Sequence, residues 1–423
     1  MSRPRAVVLV TGSELVRGDR RDLNGPFLAG ELVRLGLEPA RITIVGDGPE
    51  ELRSALDEGL DADLLLISGG LGPTHDDRTI ELLAAAAGRE LVLDPALEGE
   101  IEGVSRRIAE RLRRPYADFA AGVSKQASLP AGGESLGLAG TAPGVVLSAN
   151  GCVAVALPGP PSELKRLWQA ALASAPVRDV VSHAQPPGRR VLRFFGASES
   201  AVAQALEDAG GDGDGVEATI CARDFEIHVD LFVEPGADER ADRLSAALRA
   251  PLGRYLFAED ERGIEEIVLA LCRARGWTLA TAESCTGGMV AERITWVAGA
   301  SDVFAGSVVT YSNSSKHQLL GVSDELLERH GAVSAEVAAA MASGARVHLG
   351  ADVAVAVTGI AGPGGGTPEK PVGLVYLHAV SPDGERSREL NLPGEREPIR
   401  RRSTAAALHL LRTHLTQNRD RVV

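Results

Sequence analysis

Short apolar runs alternate with amphipathic segments along the first 175 residues of the chain. The predicted strands lie at residues 6–10, 42–45 and 63–68, and the predicted helices lie at residues 24–35 and 50–60. Gly36 follows the first helix as an expected C-cap. Because strands that alternate with helices usually form a parallel sheet covered on both faces, we predict a three-layer α/β domain over residues 1–175.

The last third of the chain alternates in the same way. The predicted helices lie at residues 264–275, 287–297, 335–349 and 397–414, and the predicted strands lie at residues 278–282, 305–311, 352–358 and 372–380. This pattern indicates a second three-layer α/β domain with a mostly parallel sheet over residues 261–423.

The segment between the two α/β patterns differs from both. Residues 176–190 contain three prolines and little periodicity, which predicts a linker. Residues 191–260 then show the order strand, helix, strand, helix, with a Gly/Asp-rich loop over residues 210–215. We predict a small α+β module there.

Composition and charge limit the possible partners. The chain has 423 residues and a formal net charge of −14, which argues against general binding to nucleic acid or to an anionic membrane. The apolar run at residues 6–10 is too short for a signal peptide, and no stretch approaches the roughly 20 apolar residues of a membrane span. The four cysteines are scattered without a Cys-x-x-Cys pair, so we expect neither disulfides nor zinc, and a cytoplasmic location.

Lysine is rare in this chain. The sequence has 44 Lys and Arg residues, and lysine occurs only at positions 125, 165, 316 and 370. Since arginine fills most positions that need a positive charge, a lysine is a candidate for a task that requires losing the proton. Chance in an arginine-biased genome is the alternative.

Ser284 lies where a predicted strand turns into a helix, in the sequence Glu283-Ser284-Cys285-Thr286-Gly287-Gly288. Ligands of open α/β sheets bind at such strand ends. A serine there can attack a carbonyl while N–H groups of the following helix stabilise the oxyanion. Two alternatives are that Ser284 only caps the helix and that Cys285 is the nucleophile.

Lys316 follows the next predicted strand in the sequence Tyr311-Ser312-Asn313-Ser314-Ser315-Lys316. A neutral lysine is a suitable base for a serine nucleophile, and burial can make it neutral. The alternative is that Lys316 binds phosphate as a fixed cation. Tyr311 is expected at the ligand-binding edge of the sheet.

A glycine-rich segment, residues 359–373, follows the strand that ends at Thr358. Its N–H groups can receive a phosphate, but it lacks the Lys-Ser/Thr ending of a P-loop, so ATP binding is not indicated. A flexible surface loop is the alternative. Four arginines, at positions 396, 400, 401 and 402, begin the last predicted helix and are candidates for an anion site or a solvated face.

These motifs together resemble the CinA (competence/damage-inducible protein A) family. The C-terminal domain resembles nicotinamide mononucleotide (NMN) deamidases, which implies hydrolysis of NMN to nicotinate mononucleotide and ammonia without a cofactor. The resemblance implies catalytic roles for Ser284, Lys316, Tyr311 and Thr358. The substrate-binding residues that we expect from the motifs are Glu283, Cys285, Thr286, Gly287, Gly288, Asn313, Gly359, Gly362, Gly364, Gly365, Arg396 and Arg400.

Three glycine-containing strand ends in the N-terminal domain suggest one ligand crevice. They are Gly12-Ser13-Glu14-Leu15, the segment from Ser68 to Asp77, and the turn around Gly159. Glu14, Asp76 and Asp77 are suitable ligands for a hard divalent cation, Mg²⁺, Mn²⁺ or Co²⁺, although Asp77 alternatively caps a helix. The residues expected in this crevice are Ser13, Glu14, Asn24, Ser68, Gly69, Gly70, Gly72, Thr74, Gly159 and Ser162.

The N-terminal segment resembles the molybdopterin-binding-like domain of the CinA family, which implies a metal-dependent ADP-ribose pyrophosphatase. Two positions depart from the family pattern. Ser13 replaces the usual Thr, and Asp22-Leu23-Asn24 replaces the usual Asn-Thr-Asn. The middle module resembles a KH-like domain but has no basic cluster, so we expect a spacer or a dimer contact there, and a homodimer overall. A non-catalytic regulatory protein is the alternative function.

Overall fold

A computed structural model describes residues 3–417 and divides the chain into two compact units, which meet in sequence at Pro187 and Gly188. The first unit contains the strands β1 (Arg5–Thr11), β2 (Glu38–Val45), β3 (Leu64–Ser68), β4 (Leu91–Leu93), β5 (Ser128–Pro130), β6 (Glu134–Leu138), β7 (Pro143–Ala149) and β8 (Cys152–Leu157). Its helices are α1 (Ser13–Val16), α2 (Asn24–Arg34), α3 (Pro49–Gly59), α4 (Thr79–Ala86), α5 (Pro95–Leu112), α6 (Ala117–Ala120), α7 (Val123–Gln126), α8 (Pro161–Ala173) and α9 (Ala175–Ser182).

The central sheet of the first unit has the order β2-β1-β3-β8-β7-β6. Strands β2, β1, β3 and β8 are parallel, and β7 and β6 add to the sheet in antiparallel orientation. One hydrophobic core lies on each face of the sheet, because successive side chains of each strand point to opposite faces. The predicted three-layer α/β architecture is confirmed for this unit.

The segment predicted as a linker is partly helical. Helix α9 has Pro176 in its first turn and places Val177 in the core. Proline suits the first turn of a helix because its missing N–H has no helical partner there. The end of the segment also packs closely: at Gly36, where φ is +82°, an added Cβ would lie 2.4 Å from the carbonyl carbon of Gln185.

The second unit begins with the KH-like module. Its elements are β9 (Gly188–Phe195), α10 (Glu199–Asp208), β10 (Val216–Arg223), β11 (Glu226–Val233), α11 (Asp238–Leu252) and β12 (Leu256–Ala258). The sheet order is β10-β11-β9-β12 with antiparallel pairs. Strand β10 was not predicted, because most of its residues are exposed and it pairs on one side only.

The rest of the second unit is the C-terminal α/β domain. Its elements are α12 (Ile264–Arg273), β13 (Leu279–Glu283), α13 (Met289–Thr295), β14 (Phe304–Val309), α14 (Asn313–Leu320), α15 (Asp324–His330), α16 (Ala335–His348), β15 (Val353–Gly359), β16 (Leu374–Ser381), β17 (Gly384–Asn391) and α17 (Arg396–Gln417). The sheet order is β14-β13-β15-β16-β17, with β14, β13 and β15 parallel. Strands β16 and β17 are antiparallel.

The order of strands in this sheet determines where the candidate site lies. Strand β13 lies between β14 and β15, so the three parallel strands end at one edge. The segments after β13, β14 and β15 carry Ser284, Lys316 and the glycine-rich loop, residues 359–373. Within residues 3–417, no helix has the length and apolar character needed to cross a membrane.

Candidate active site

Ser284 and Lys316 contact each other in the C-terminal domain. The Lys316 ammonium nitrogen donates to Ser284 Oγ at 3.1 Å and to the backbone oxygen of Thr310 at 2.9 Å. Lys316 is only 1% exposed and Ser284 only 9%. Burial lowers the pKa of Lys316, because removal from water disfavours the charged form. The arrangement is therefore that of a serine beside a lysine biased towards its neutral form.

Glu283 has a different role from the one expected. Its buried carboxylate accepts hydrogen bonds from the N–H groups of Gly288, Val290 and Ala291, at 2.9, 3.1 and 2.9 Å. The prediction that Glu283 binds substrate is therefore wrong, because its oxygens cap helix α13. The N–H groups of this helix are likewise not free to bind an anion, and Ser284 does not cap it.

The free N–H groups lie earlier, in the nucleophile loop, residues 284–288. Gly287 N–H donates to Ser284 O at 3.1 Å. Within residues 3–417, the N–H group of Thr286 has no acceptor in hydrogen-bonding geometry, and that of Cys285 has none beyond its own thiol. These two groups directly follow Ser284 and are the available donors for a developing oxyanion.

Cys285 is not suited to be the nucleophile. Its side chain is 4% exposed and belongs to the hydrophobic core. Burial raises the pKa of the Cys285 thiol to about 12, so the reactive thiolate is strongly disfavoured at neutral pH. The choice between Ser284 and Cys285 thus favours Ser284.

The two candidate arginines of α17 make different contacts. Arg400 donates to the backbone oxygens of Cys285 at 3.0 Å and Thr286 at 2.7 Å, so it holds the nucleophile loop. These contacts use two of the five guanidinium N–H groups, so a contact of Arg400 with substrate stays a prediction. Arg396 is exposed and donates to the Tyr311 hydroxyl at 2.6 Å and to Gly362 O at 2.7 Å.

The other predicted residues of the C-terminal site differ in how deeply they are buried. Thr358 is buried and its hydroxyl donates to Ala332 O at 2.7 Å. Tyr311 is 62% exposed, and Asn313 is exposed at the start of α14.

Thr310 was not predicted, although its position at a strand end was a usable signal. Its hydroxyl is buried without a partner among residues 3–417.

The fixed contacts of the nucleophile loop suggest a first test. In Glu283→Gln, the amide cannot accept from all three N–H groups, and hydrogen bonds to a charged group contribute about 1.5–3 kcal/mol. We expect the midpoint of thermal unfolding to fall by about 4–8 °C, on a scale of about 2–4 °C per kcal/mol. Glu292→Gln, at an exposed position of α13, is the control. Equal midpoints for the two variants would contradict the capping role.

The N-terminal crevice is organised around Asn24. Its side-chain amide donates to Ser68 Oγ at 2.9 Å and to Gly159 O at 2.7 Å, which joins the start of α2 to the ends of β3 and β8. Asp22 caps α2 by accepting from the N–H groups of Asn24 and Gly25. The departure at position 22 from the family pattern therefore supplies a helix cap.

Asp47 is a further residue of this region that the sequence did not reveal. It accepts from the Ser13 hydroxyl at 2.6 Å, from Ser13 N–H at 2.9 Å and from the Thr11 hydroxyl at 3.2 Å. Ser13 therefore supports the turn after β1. Because Asp47 is 34 positions away from Ser13, no local pattern indicates the contact.

The predicted metal site is not formed. Across residues 3–417 there is no group of three or more His, Cys, Asp or Glu side chains that could hold a metal ion. Glu14 and Asp76 are exposed, and Asp77 accepts from Thr74 N–H at 3.0 Å and from the Thr74 hydroxyl. The structure thus corrects the expectation that Glu14, Asp76 and Asp77 converge, because Asp77 closes its own turn.

The other predicted crevice residues lie after β3 and at the start of α8. A cavity of about 180 Å³ is lined by Gly70, Gly72, Asp77, Lys125 and Gln126, among others. Gly69 accepts from the Thr79 hydroxyl at 2.9 Å, so its carbonyl is part of the turn's framework. Ser162 is exposed in the first turn of α8.

Comparisons with known proteins match every part of this architecture. Residues 7–176 match the model of a probable molybdopterin binding domain, residues 189–258 the damage-inducible protein CinA KH domain, and residues 261–415 the CinA C-terminal domain. A CinA-like protein of Mycolicibacterium gilvum is 46% identical, covering 97% of this chain and 99% of its own length. This chain belongs to the CinA family.

The chain is also similar to a second relative and to a solved structure. A CinA-like protein of Mycobacterium tuberculosis is 44% identical over 97% of each chain. The solved structure of a competence/damage inducible protein from Agrobacterium tumefaciens is 42% identical, covering 38% of this chain and 100% of its own, with a TM-score of 0.35.

Proposed function

We propose that the C-terminal domain hydrolyses the carboxamide of NMN to nicotinate mononucleotide and ammonia. The observation that carries this proposal is the 3.1 Å contact between Ser284 Oγ and a buried lysine nitrogen. Within residues 3–417, no carboxylate is among the groups that shift the pKa of Lys316, and a carboxylate would favour the charged form. A buried lysine of this kind is suited to act as a base.

In the first half of the reaction, Ser284 Oγ attacks the carboxamide carbon and its proton passes to Lys316 Nζ. The N–H groups of Cys285 and Thr286 donate to the oxyanion that forms. When the C–N bond breaks, the proton on Lys316 passes to the departing nitrogen, which leaves as ammonia. The products of this half are free ammonia, an acyl ester on Ser284 and a neutral Lys316.

In the second half, water attacks the ester and loses its proton to Lys316. The ester bond to Ser284 Oγ breaks, and Lys316 returns the proton to that oxygen. Nicotinate mononucleotide leaves, and both residues are restored. Thr310 O, which accepts from Lys316 Nζ at 2.9 Å, keeps the amine near Ser284 through both halves.

In this proposal, the nucleotide is recognised by two exposed features of the C-terminal domain, the glycine-rich loop and Arg396. The N–H groups of Gly364, Gly365 and Gly366 have no acceptor among the described residues and are available to a phosphate. Arg396 adds a positive charge next to Tyr311. A mononucleotide with its carboxamide at Ser284 and its phosphate at the glycine-rich loop fits this distribution of donors.

The first experiment measures ammonia release from NMN by the full-length protein, with EDTA present. We expect release, because the proposed chemistry uses only side chains and backbone N–H groups. A binding or regulatory protein of the same fold would leave NMN unchanged. Folded protein that releases no ammonia would therefore support that second candidate and reject the deamidase.

For the N-terminal unit we propose hydrolysis of the pyrophosphate of ADP-ribose by water, which yields AMP and ribose 5-phosphate and depends on a divalent cation. The support for this proposal is the crevice in which Asn24, at the start of α2, links the ends of β3 and β8. Glu14, Asp76 and Asp77 do not form a cation site on their own. Asn24, Ser68 and Gly159 shape the crevice in this proposal.

A variant of Asn24 tests the N-terminal proposal. Asn24→Ala removes both links, to Ser68 and to Gly159, so we expect AMP formation with Mn²⁺ to fall by about 10²-fold, as for a misplaced binding group. The control is Asn150→Gly in the exposed turn between β7 and β8, where φ is +56° and glycine is tolerated. AMP formation by Asn24→Ala at the control rate would reject the crevice as the site.

A further inference from the structure

Lys370 is one of the four lysines, and its contacts are specific. Its Nζ donates to His330 O at 2.6 Å and to Val333 O at 2.7 Å, and the side chain is half-buried. Two carbonyl oxygens thus converge on one ammonium nitrogen. No step of the proposed reaction uses this residue.

The two carbonyls belong to the 330–334 turn, which joins α15 to α16. Ser334 fixes one end of this turn by capping α16 and donating to Gly331 O at 3.1 Å. Ala332 O, in the middle, accepts from the Thr358 hydroxyl at 2.7 Å. The turn is therefore attached directly to the strand end at which the glycine-rich loop begins.

Lys370 attaches the far side of the loop to the same turn. Locally, Thr367 and Lys370 form a tight turn in which Thr367 N–H donates to Lys370 O and Lys370 N–H donates to Thr367 Oγ1, at 2.9 and 3.1 Å. The exposed glycines at positions 364–366 lie between the Thr358 and Lys370 attachments. The Thr358 and Lys370 contacts thus join both sides of this glycine segment to the same turn.

The space around the ammonium explains the preference for lysine. Gly331 has φ +72°, and a Cβ added there would lie 3.2 Å from Lys370 Nζ. A compact ammonium with three donors fits between the backbone oxygens, whereas a planar guanidinium is larger. The geometry at position 370 therefore favours a charged lysine over an arginine.

We propose that Lys370 is a positioning residue that holds the glycine-rich loop in the shape that receives the phosphate of the substrate. This inference rests on the proposed NMN deamidase function. It assigns Lys370 no contact with the reacting carboxamide, so its removal should affect binding of the phosphate and leave the chemical step intact.

The test is Lys370→Met, which keeps the length of the side chain and removes the donors. We expect the KM for NMN to rise about tenfold with kcat within about twofold, the pattern of lost uniform binding. Nicotinamide riboside, which lacks the phosphate, should be hydrolysed with unchanged kcat/KM. Lys165→Met, at an exposed lysine of the first unit, is the matched control. An unchanged KM for NMN, or equal losses with both substrates, would overturn the proposal.

Hydrogen–deuterium exchange tests the same role without relying on activity. We expect the backbone of residues 330–334 and 359–373 to exchange faster in Lys370→Met and to match the wild type in Lys165→Met. Lys370→Gln, whose shorter side chain cannot reach both carbonyls, should behave like Lys370→Met and serves if the methionine variant does not fold. A wild type inactive on NMN would reject the deamidase, whereas unchanged exchange in these segments would reject the role of Lys370.

Discussion

Replacing Ser284 by alanine should abolish ammonia release from NMN. The variant has no oxygen to form the acyl ester, and the loss of a nucleophile of this class costs about 10³-fold or more in kcat. Binding should persist, because the glycine-rich loop and Arg396 are unchanged. We therefore expect Ser284→Ala to bind NMN measurably by calorimetry, while ammonia release falls to background.

Ser307→Ala is the matched control for this experiment. Ser307 lies on β14, and its hydroxyl is buried without a partner among residues 3–417, so alanine removes a group that makes no hydrogen bond there. It should keep the wild-type rate. Appreciable ammonia release by Ser284→Ala would show that another group, such as a water activated by Lys316, attacks the carboxamide.

Much of the C-terminal site could be predicted from the sequence because its residues lie after the ends of strands. Ser284 lies at the end of one predicted parallel strand and Lys316 about one helical turn after the end of the next, and adjacent parallel strands present their ends at one edge. Because lysine is rare in this chain, Lys316 could be distinguished from the many arginines as a candidate base. These two local signals correctly anticipated a contact between residues that are 32 positions apart.

The error at Glu283 and the contacts that were not foreseen have one cause, which is that no local pattern encodes them. Glu283 resembles a substrate ligand in sequence, but the turn that follows directs its carboxylate back onto the N–H groups of α13. Arg400 and Asp47 satisfy backbone or hydroxyl groups far away in sequence. Strand β17 was missed because it is an edge strand with mostly exposed residues, so it lacks the apolar alternation on which the prediction depended.

The variant Lys316→Arg tests whether residue 316 acts as a base or only as a fixed positive charge. Arginine keeps the charge at all accessible pH values and cannot accept the Ser284 proton. We expect kcat for NMN to fall by about 10³-fold, within the range of about 10²–10⁴-fold that general base catalysis contributes. Lys165→Arg, at an exposed site on the first unit, controls for the exchange of lysine for arginine and should retain the wild-type rate.

The pH profile makes the role of Lys316 more specific. A base acts in its deprotonated form, so kcat/KM should rise with pH and level off once Lys316 is neutral. Because burial lowers the pKa of Lys316 from 10.5, the midpoint of this rise should lie below that value, and activity should be lost as the pH falls through the lowered pKa. The residual activity of Lys316→Arg should not show this rise. A variant with near-normal rate and the same profile would instead mean that position 316 supplies only charge, and that the group that titrates lies elsewhere.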